Sequence, residues 1–463
     1  MGAGLGAGAA ARVGVGAGPR GRAGGGARGA RGACGAGGGR AAARTAGAAA
    51  VEAPPEGGRC LTGLPVEDGS GGVEEHIGYA APPAGYSGLR GKALRAAADK
   101  HKYPTRGEVM AAIPKHCFQR DTARSMMYAG ISTALTLGWA ALGAAFLPMT
   151  WAWAPVWAVH AFVSGTFATG MWVAAHECGH GAFSDNKRLQ DVVGYVLHTA
   201  LCVPYFSWQR SHHVHHLYTN HMEKGETHVP YLADSLHGKG NYSMKNFLGE
   251  DAFILVNQVF HLVFGWPAYL ISGATGGSEY GMTNHFIPSK PFSDGLFPTD
   301  TLKKKVWISA AGVLAVIGAL TFASTKVGFL PVFLLYVLPY MATNFWLVLY
   351  TWLQHTDVDV PHFSGDEWDW VKGTFMTIDR PYGPVLDFLH HRIGSTHVAH
   401  HVAHVIPHYH AKEATEALAS AFPHIYLYDD TPIHKALWRI SKECVAVHQH
   451  DDQYIFHPTD KTF

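Results

Sequence analysis

Between Ser125 and His176 the chain carries no Asp, Glu, Lys or Arg. A bilayer core takes about 20 consecutive apolar residues as one helix, so this stretch holds two crossings, with a turn near Pro148 to Pro155. One overlong helix would carry those prolines in its interior, where each removes a hydrogen bond and clashes with the preceding turn. A second apolar block, Val306 to His355, is broken only by Lys326. It gives crossings over about 306–325 and about 329–352. Ala252 to Ile271 is also apolar but contains His261 and Pro267. It reads as an interfacial or re-entrant segment rather than a fifth crossing. Four crossings put both termini and the long central segment on one side. Lys115, Arg120 and Arg124 precede the first crossing and Lys303, Lys304 and Lys305 the third, whereas the short connections opposite carry only Lys326. The excess of positive charge marks that side as cytosolic or its organellar equivalent.

Charged residues make up 15% of the chain and hydrophobic ones 48%, which leans away from an ordinary soluble enzyme. A net charge of +1 gives no argument for nucleic acid. The six cysteines, Cys34, Cys60, Cys117, Cys178, Cys202 and Cys444, form no C-x-x-C pair and read as free thiols in a reducing compartment. Residues 1–51 are Gly, Ala and Arg with no Asp, Glu or Lys. Such a segment has too little apolar bulk to fold. Its seven arginines suggest organelle targeting, although the serine common in transit peptides is missing; a disordered tail or an over-extended gene start is the equal alternative. A Gly/Pro-rich linker continues to about residue 90. Residues 1–90 are therefore expected to be a disordered leader, and 91–463 the folded domain.

The chemistry is carried by histidine. Ser211 to His216 reads S-H-H-V-H-H. On a helix, His212 can converge with His215 and His216, because residues three and four apart share a face. His397, His400 and His401 repeat the spacing, and His176 and His180 stand four apart around Glu177. Packing or solubility explains isolated histidines such as His160, His261 or His362, not these clusters. His176-Glu177-Cys178-Gly179-His180 matches H-E-x-x-H, in which two histidines bind zinc and the glutamate is a general base. One zinc needs three protein ligands and a water, which leaves the other six histidines without a task. A two-metal, oxygen-activating site uses all eight. Iron is preferred to zinc there because imidazole accepts both and only a redox-active metal activates oxygen. The expected fold is an all-α integral membrane protein: four transmembrane helices and a cytosolic-side helical cap holding a histidine-rich di-metal site.

The chain resembles the membrane-bound fatty acid desaturases over roughly residues 100 to 450. The resemblance rests on A-H-E-C-G-H (175–180), A-F-S-D (182–185), V-P-Y-F-S-W-Q-R-S-H-H-V-H-H (203–216), E-W-D-W (367–370), I-D-R-P-Y-G (378–383), T-H-V-A-H-H (396–401) and I-P-H-Y (406–409). It is nearest the plant-type oleate delta-12 (omega-6) branch, through Glu177 and P-Y-F-S-W. Ile113-Pro114-Lys115-His116-Cys117 looks as much like the omega-3 branch, and His213 stands where the family has Arg. The resemblance implies two irons, O2 as co-substrate, and a cis double bond placed in a lipid-bound acyl chain. It implies the ligands His176, His180, His212, His215, His216, His397, His400 and His401, with His355 as a further candidate after the last crossing. A histidine stabilised at a helix C-terminus is the other reading of His355. Glu177 would support a ligand or the charge of the site in a desaturase, and be the base in a protease. Asp369 and Asp379 would orient ligands or be solvated acids. The electron donor would be a separate protein, cytochrome b5 in the endoplasmic reticulum or ferredoxin in chloroplasts. An omega-3 desaturase, a related hydroxylase and an intramembrane zinc protease are the alternatives, and self-association is compatible with all of them.

Overall fold

The computed structural model describes residues 102–293 and 295–456, with Pro82, Pro83, Tyr86 and Gly88. The leader over 1–51, Cys34, Cys60, most of the linker and the boundary expected at residue 90 lie outside the described residues.

The first described helix is α1 (Arg106–Ala112). Thr105 Oγ1 accepts from the Glu108 amide while the Glu108 carboxylate accepts from the Thr105 amide at 2.7 Å, so two helix-end donors are satisfied reciprocally. Asp121 caps α2 (Thr122–Phe146), accepting from the Arg124 amide. The connection to α3 (Ala154–His180) is closed by Trp157 Nε1, which donates to the Pro148 carbonyl at 2.9 Å. Pro155 sits in the first turn of α3, where its missing N–H has no intrahelical partner to lose. The two prolines therefore divide the charge-free stretch into two helices, as their chemistry requires. α3 is the buried centre of the bundle: 72% of its apolar window is covered by protein, against 17% for α2. It stops at Gly181, whose φ of 78° is the left-handed turn that glycine takes freely.

Then follow α4 (Lys187–Ala200), α5 (Tyr205–Leu217), α6 (Leu236–Leu248), α7 (Glu250–Ser272), α8 (Asp300–Val327) and α9 (Phe329–His355), the last with a widened turn at Phe333–Val337. α9 lies along α3. A Cβ at Gly165 would stand 2.7 Å from the Pro339 carbonyl and 2.9 Å from the Thr343 amide, so only glycine lets the two backbones meet there. Beside this contact Trp346 Nε1 donates to Thr166 Oγ1 at 2.9 Å. Gly165→Val is expected to cost about 1–3 kcal/mol, the range for overpacking, or more because backbone rather than side chain must give way. The yield of monodisperse protein in detergent reports it, and an unchanged yield and thermal midpoint would contradict the close approach.

Five described helices are long and apolar enough to cross a membrane, one more than the four expected from the sequence; the additional one is α7. Its contacts run along one side of the molecule. Glu250, in its first turn, pairs with Lys245 at 3.3 Å and Lys442 at 3.0 Å. Gln258 donates to Ser441 Oγ. His261 stacks on Trp352, one turn before the end of α9. Tyr269, in the last turn, bonds Ser211 Oγ at 2.7 Å and the Glu226 carboxylate at 3.1 Å.

The remaining chain forms the cap: α10 (Trp370–Phe375), β1 (Ile378–Asp379), α11 (Pro384–Leu389), α12 (His397–Val402), α13 (His408–Ala421), β2 (Leu427–Tyr428), α14 (Ile433–Glu443), β3 (Val447–His450) and β4 (Gln453–Phe456). β1 pairs in parallel with β2, Ile378 opposite Leu427, and β3 pairs antiparallel with β4. Among the described residues the fold is thus mostly helical, with two small sheets added to the all-α expectation. The cap core gathers Val109, Phe375, Ile378, Val398, Leu418 and Tyr426. Beneath it lies a buried ion network. Arg380 contacts Asp429 and, at 2.9 Å, Asp357, while Arg439 reaches the same two carboxylates at 2.9 and 2.6 Å.

Several histidines outside the membrane helices are buried and held uncharged. Burial lowers His198 to about 3 and His285 and His390 to about 4. An exposed ring titrates near 6.5, so the unfolded chain takes up protons first. The stability contributed by the neutral rings is complete above about pH 6.5 and is lost as the pH falls toward the folded values. The thermal midpoint in detergent is expected to drop steadily between those limits, and a flat profile would refute it.

Candidate metal centre

The histidine clusters reach one place from four helices. α3 ends with His176 and His180, α9 ends with His355, and α5 and α12 carry the two H-x-x-H-H sequences across those ends. The donor nitrogens of His176, His180, His212, His216 and His400 all lie within 4.8 Å of one another. His212 Nε2 is 2.9 Å from His176 Nε2 and 3.2 Å from His216 Nε2, and His180 Nε2 is 3.2 Å from His176 Nε2. A second group contains His215, His355 and His401, also within 4.8 Å. His397 joins it, with Nε2 3.0 Å from His355 Nε2. All nine histidines expected from the sequence are therefore brought together, five in one group and four in the other.

Neighbouring residues in each motif go to different groups. On α5, His212 and His216 belong to the first and His215 to the second. On α12, His397 and His401 belong to the second and His400 to the first. The i, i+4 pair of each helix faces one centre, and the odd histidine is turned about 100° toward the other.

The donor set fits transition-metal ions. A neutral imidazole has one N–H and one lone pair, so two Nε2 atoms can pair but the crowded set cannot all be satisfied. Nε2 of His400 and of His401 is buried without a hydrogen-bond partner. Burial, followed by repulsion from neighbouring imidazoles, holds His212, His216, His397, His400 and His401 well below the usual histidine range. Burial lowers His215 to about 3. The rings are thus in the uncharged, ligating form at neutral pH.

Neighbouring side chains hold one of the rings and the helix that carries it. Thr219 Oγ1 lies 3.0 Å from His401 Nδ1. Asp379, fully buried, accepts from the Val398 amide at 2.8 Å and the Tyr426 hydroxyl at 2.6 Å, anchoring the first turn of α12. Burial raises its carboxyl to about 7. Asp369 instead caps α10 through the Val371 amide and touches no box. Glu177 points away from both groups: its oxygens accept from the His408 amide at 2.7 Å and meet His408 Nδ1 at 2.6 Å.

Three neighbours are given no role by the sequence, although His408 lies within I-P-H-Y. His408 is the partner of Glu177. His404, four residues after His400, has its ring 4.9 Å from that of His180; the i, i+4 spacing is its only signal. His228 stacks on His355 at 4.9 Å and 14°, and a lone histidine in a loop carries no signal at all.

A model of the family described as fatty acid desaturase matches residues 151–432. The chain belongs to the fatty acid desaturase family. It is 40% identical over 353 residues to a Delta(12)-fatty-acid desaturase of Vernicia fordii, covering 75% of this chain and 88% of the relative. It is 39% identical to an omega-6 fatty acid desaturase, endoplasmic reticulum isozyme 2, of Glycine max, over 73% of this chain and 86% of that one. An oleoyl-12-hydroxylase of Ricinus communis is 36% identical over 74% and 86%. The desaturase is an oxidoreductase and, with several apolar helices and a histidine cluster, a multi-pass membrane protein.

Proposed function

We propose that this desaturase inserts the cis delta-12 double bond into an oleoyl chain carried by a membrane lipid. The observation that carries the reading is the pair of histidine groups at the ends of α3 and α9, in a chain 40% identical to a delta-12 enzyme. His176, His180, His212, His216 and His400 hold one iron, and His215, His355, His397 and His401 the other. Bound iron supplies the redox chemistry that reduces O2 to water while two adjacent methylenes lose one hydrogen each, with electrons from a separate donor, cytochrome b5 or ferredoxin.

The protein's own part is to hold the rings neutral and aimed and to admit the acyl chain. A narrow cleft reaches His176 and His400 between Val173, Ile393, Ala399 and Ile406, with His391 and His408 also on its wall. A second cleft, beside Tyr128, Ile131, Leu135 and Phe167 of α2 and α3, shares His391 with the first. Ile131 is exposed on the lipid-facing side of α2. The acyl chain is proposed to approach the metal along these two clefts, which meet at His391. Burial there is worth about 0.8 kcal/mol per CH₂. Glu177 supports this wall through His408 rather than acting as a base. The protease reading needs Glu177 free beside a single zinc, whereas both its oxygens are engaged.

Four crossings, α2, α3, α8 and α9, put all nine histidines on one face. Under this reading α7 lies along the membrane surface. Its support is that Glu250 at one end pairs with Lys442 of the cap and Tyr269 at the other bonds Ser211 of the histidine-bearing helix α5. Residues 91–463 are then one catalytic domain, in the endoplasmic reticulum as in the Glycine max relative, with residues 1–90 dispensable for catalysis.

The test is the fatty-acid profile of a host that makes only monounsaturated lipids, with double bonds placed by mass spectrometry. New linoleate is the expected product. Conversion only of supplied linoleate moves the assignment to omega-3, and a hydroxylated product moves it to the hydroxylase chemistry of the Ricinus relative.

A further inference from the structure

The turn before α2 and the first turn of α13 meet outside the histidine centre. His116 lies in the short helical turn Lys115–Phe118, and His410 and Glu413 stand three residues apart on α13. His116 Nε2 is 2.8 Å from Glu413 Oε2. The donor atoms of all three lie within 4.8 Å of one another. The buried Cys117 thiol lies 3.9 Å from the same His116 nitrogen. The His116 and Glu413 side chains are half exposed, at 51% and 50%, so an ion can enter from solvent.

We infer that His116, His410 and Glu413 form a separate binding site for a divalent transition-metal ion of the zinc class. Two imidazoles and a carboxylate are the donor set of zinc sites that keep a fourth position open. Zinc–nitrogen bonds of about 2.0–2.1 Å set tetrahedral donors about 3.3 Å apart, so the side chains need only small rotations to close on an ion. The three residues come from two segments distant in sequence, and each segment is anchored beside the site. Cys117 is fully buried, and the Asp121 amide donates to Tyr409 Oη at 2.7 Å. The spacing His410-x-x-Glu413 aims both side chains to one face of α13.

An ion here ties the segment preceding the first membrane helix to the helix that follows the third histidine box. The same first turn of α13 carries His408, which holds Glu177 next to His176. Zinc therefore stiffens the apolar wall of the acyl cleft from outside, without touching the nine central histidines.

The experiment counts metals. Iron-loaded full-length protein in detergent is dialysed against zinc chloride, and both metals are measured in the same samples. Wild type is expected to hold one zinc more than His410→Ala and Glu413→Gln, with equal iron in all three, and to gain thermal midpoint on zinc addition where the variants do not. Both substitutions fall at solvent-accessible side chains, and the retained iron reports that the variants are folded. Equal zinc in wild type and both variants overturns the site. Missing iron in wild type instead speaks against the central assignment, so the two failures are distinct.

Discussion

His355→Ala is expected to abolish desaturation as completely as His176→Ala, with loss of iron in both. His355 lies outside the three boxes, yet its Nε2 is 3.2 Å from His215 and 3.0 Å from His397, in the middle of the four-histidine group. Changing a residue that only orients a metal ligand costs about 10–100-fold; removing the central ligand should cost at least about 100-fold. Product formation in the expression host and iron counts on purified protein check it. A His355→Ala enzyme that keeps two irons and makes linoleate would return His355 to the role of a helix-end histidine. His404→Ala is the control, since it neighbours the first group without joining it, and should retain iron.

Arg380→Met should have the largest effect on folding. Arg380 is wholly buried between Asp357 and Asp429, and Arg439, which touches the same carboxylates, is 28% exposed. Removing one partner of a buried ion network leaves charge without compensation and costs about 3–5 kcal/mol, a large part of the 5–15 kcal/mol that holds a typical domain. Little monodisperse protein should be recovered. Arg439→Met should be milder, because water reaches that side of the network. Size-exclusion profiles of the two variants in detergent decide it, and equal recovery would contradict the ranking.

The membrane helices and the metal histidines are legible in the sequence for the same reason: each departs sharply from ordinary composition. A charge-free stretch as long as Ser125 to His176 suits a bilayer far better than water, and a run such as His212 to His216 suits a metal far better than a packed core. The role of α7 is harder to read, because length and hydropathy do not distinguish a helix that crosses a bilayer from one lying on it; the contacts of Glu250 and Tyr269 bear on that, and they are tertiary. Asp379 and Asp369 look alike as acids ten residues apart. Only the fold separates them, one buried under α12 and the other capping α10. Glu177 and His408 each lie in a quoted motif, but 231 residues separate them and no local pattern announces that they pair.

The division of each H-x-x-H-H motif has a consequence for how the centre is filled. Adjacent residues, His215 with His216 and His400 with His401, serve opposite centres, so every rotation of α5 or α12 that favours one ion is felt by the other. The two sites behave as the arms of one balance rather than as independent pockets. Under the proposed assignment, uptake of the first iron would set the pitch of both helices and prepare the second site. Titrating iron into the apoprotein should therefore give a cooperative curve in which singly loaded protein scarcely accumulates.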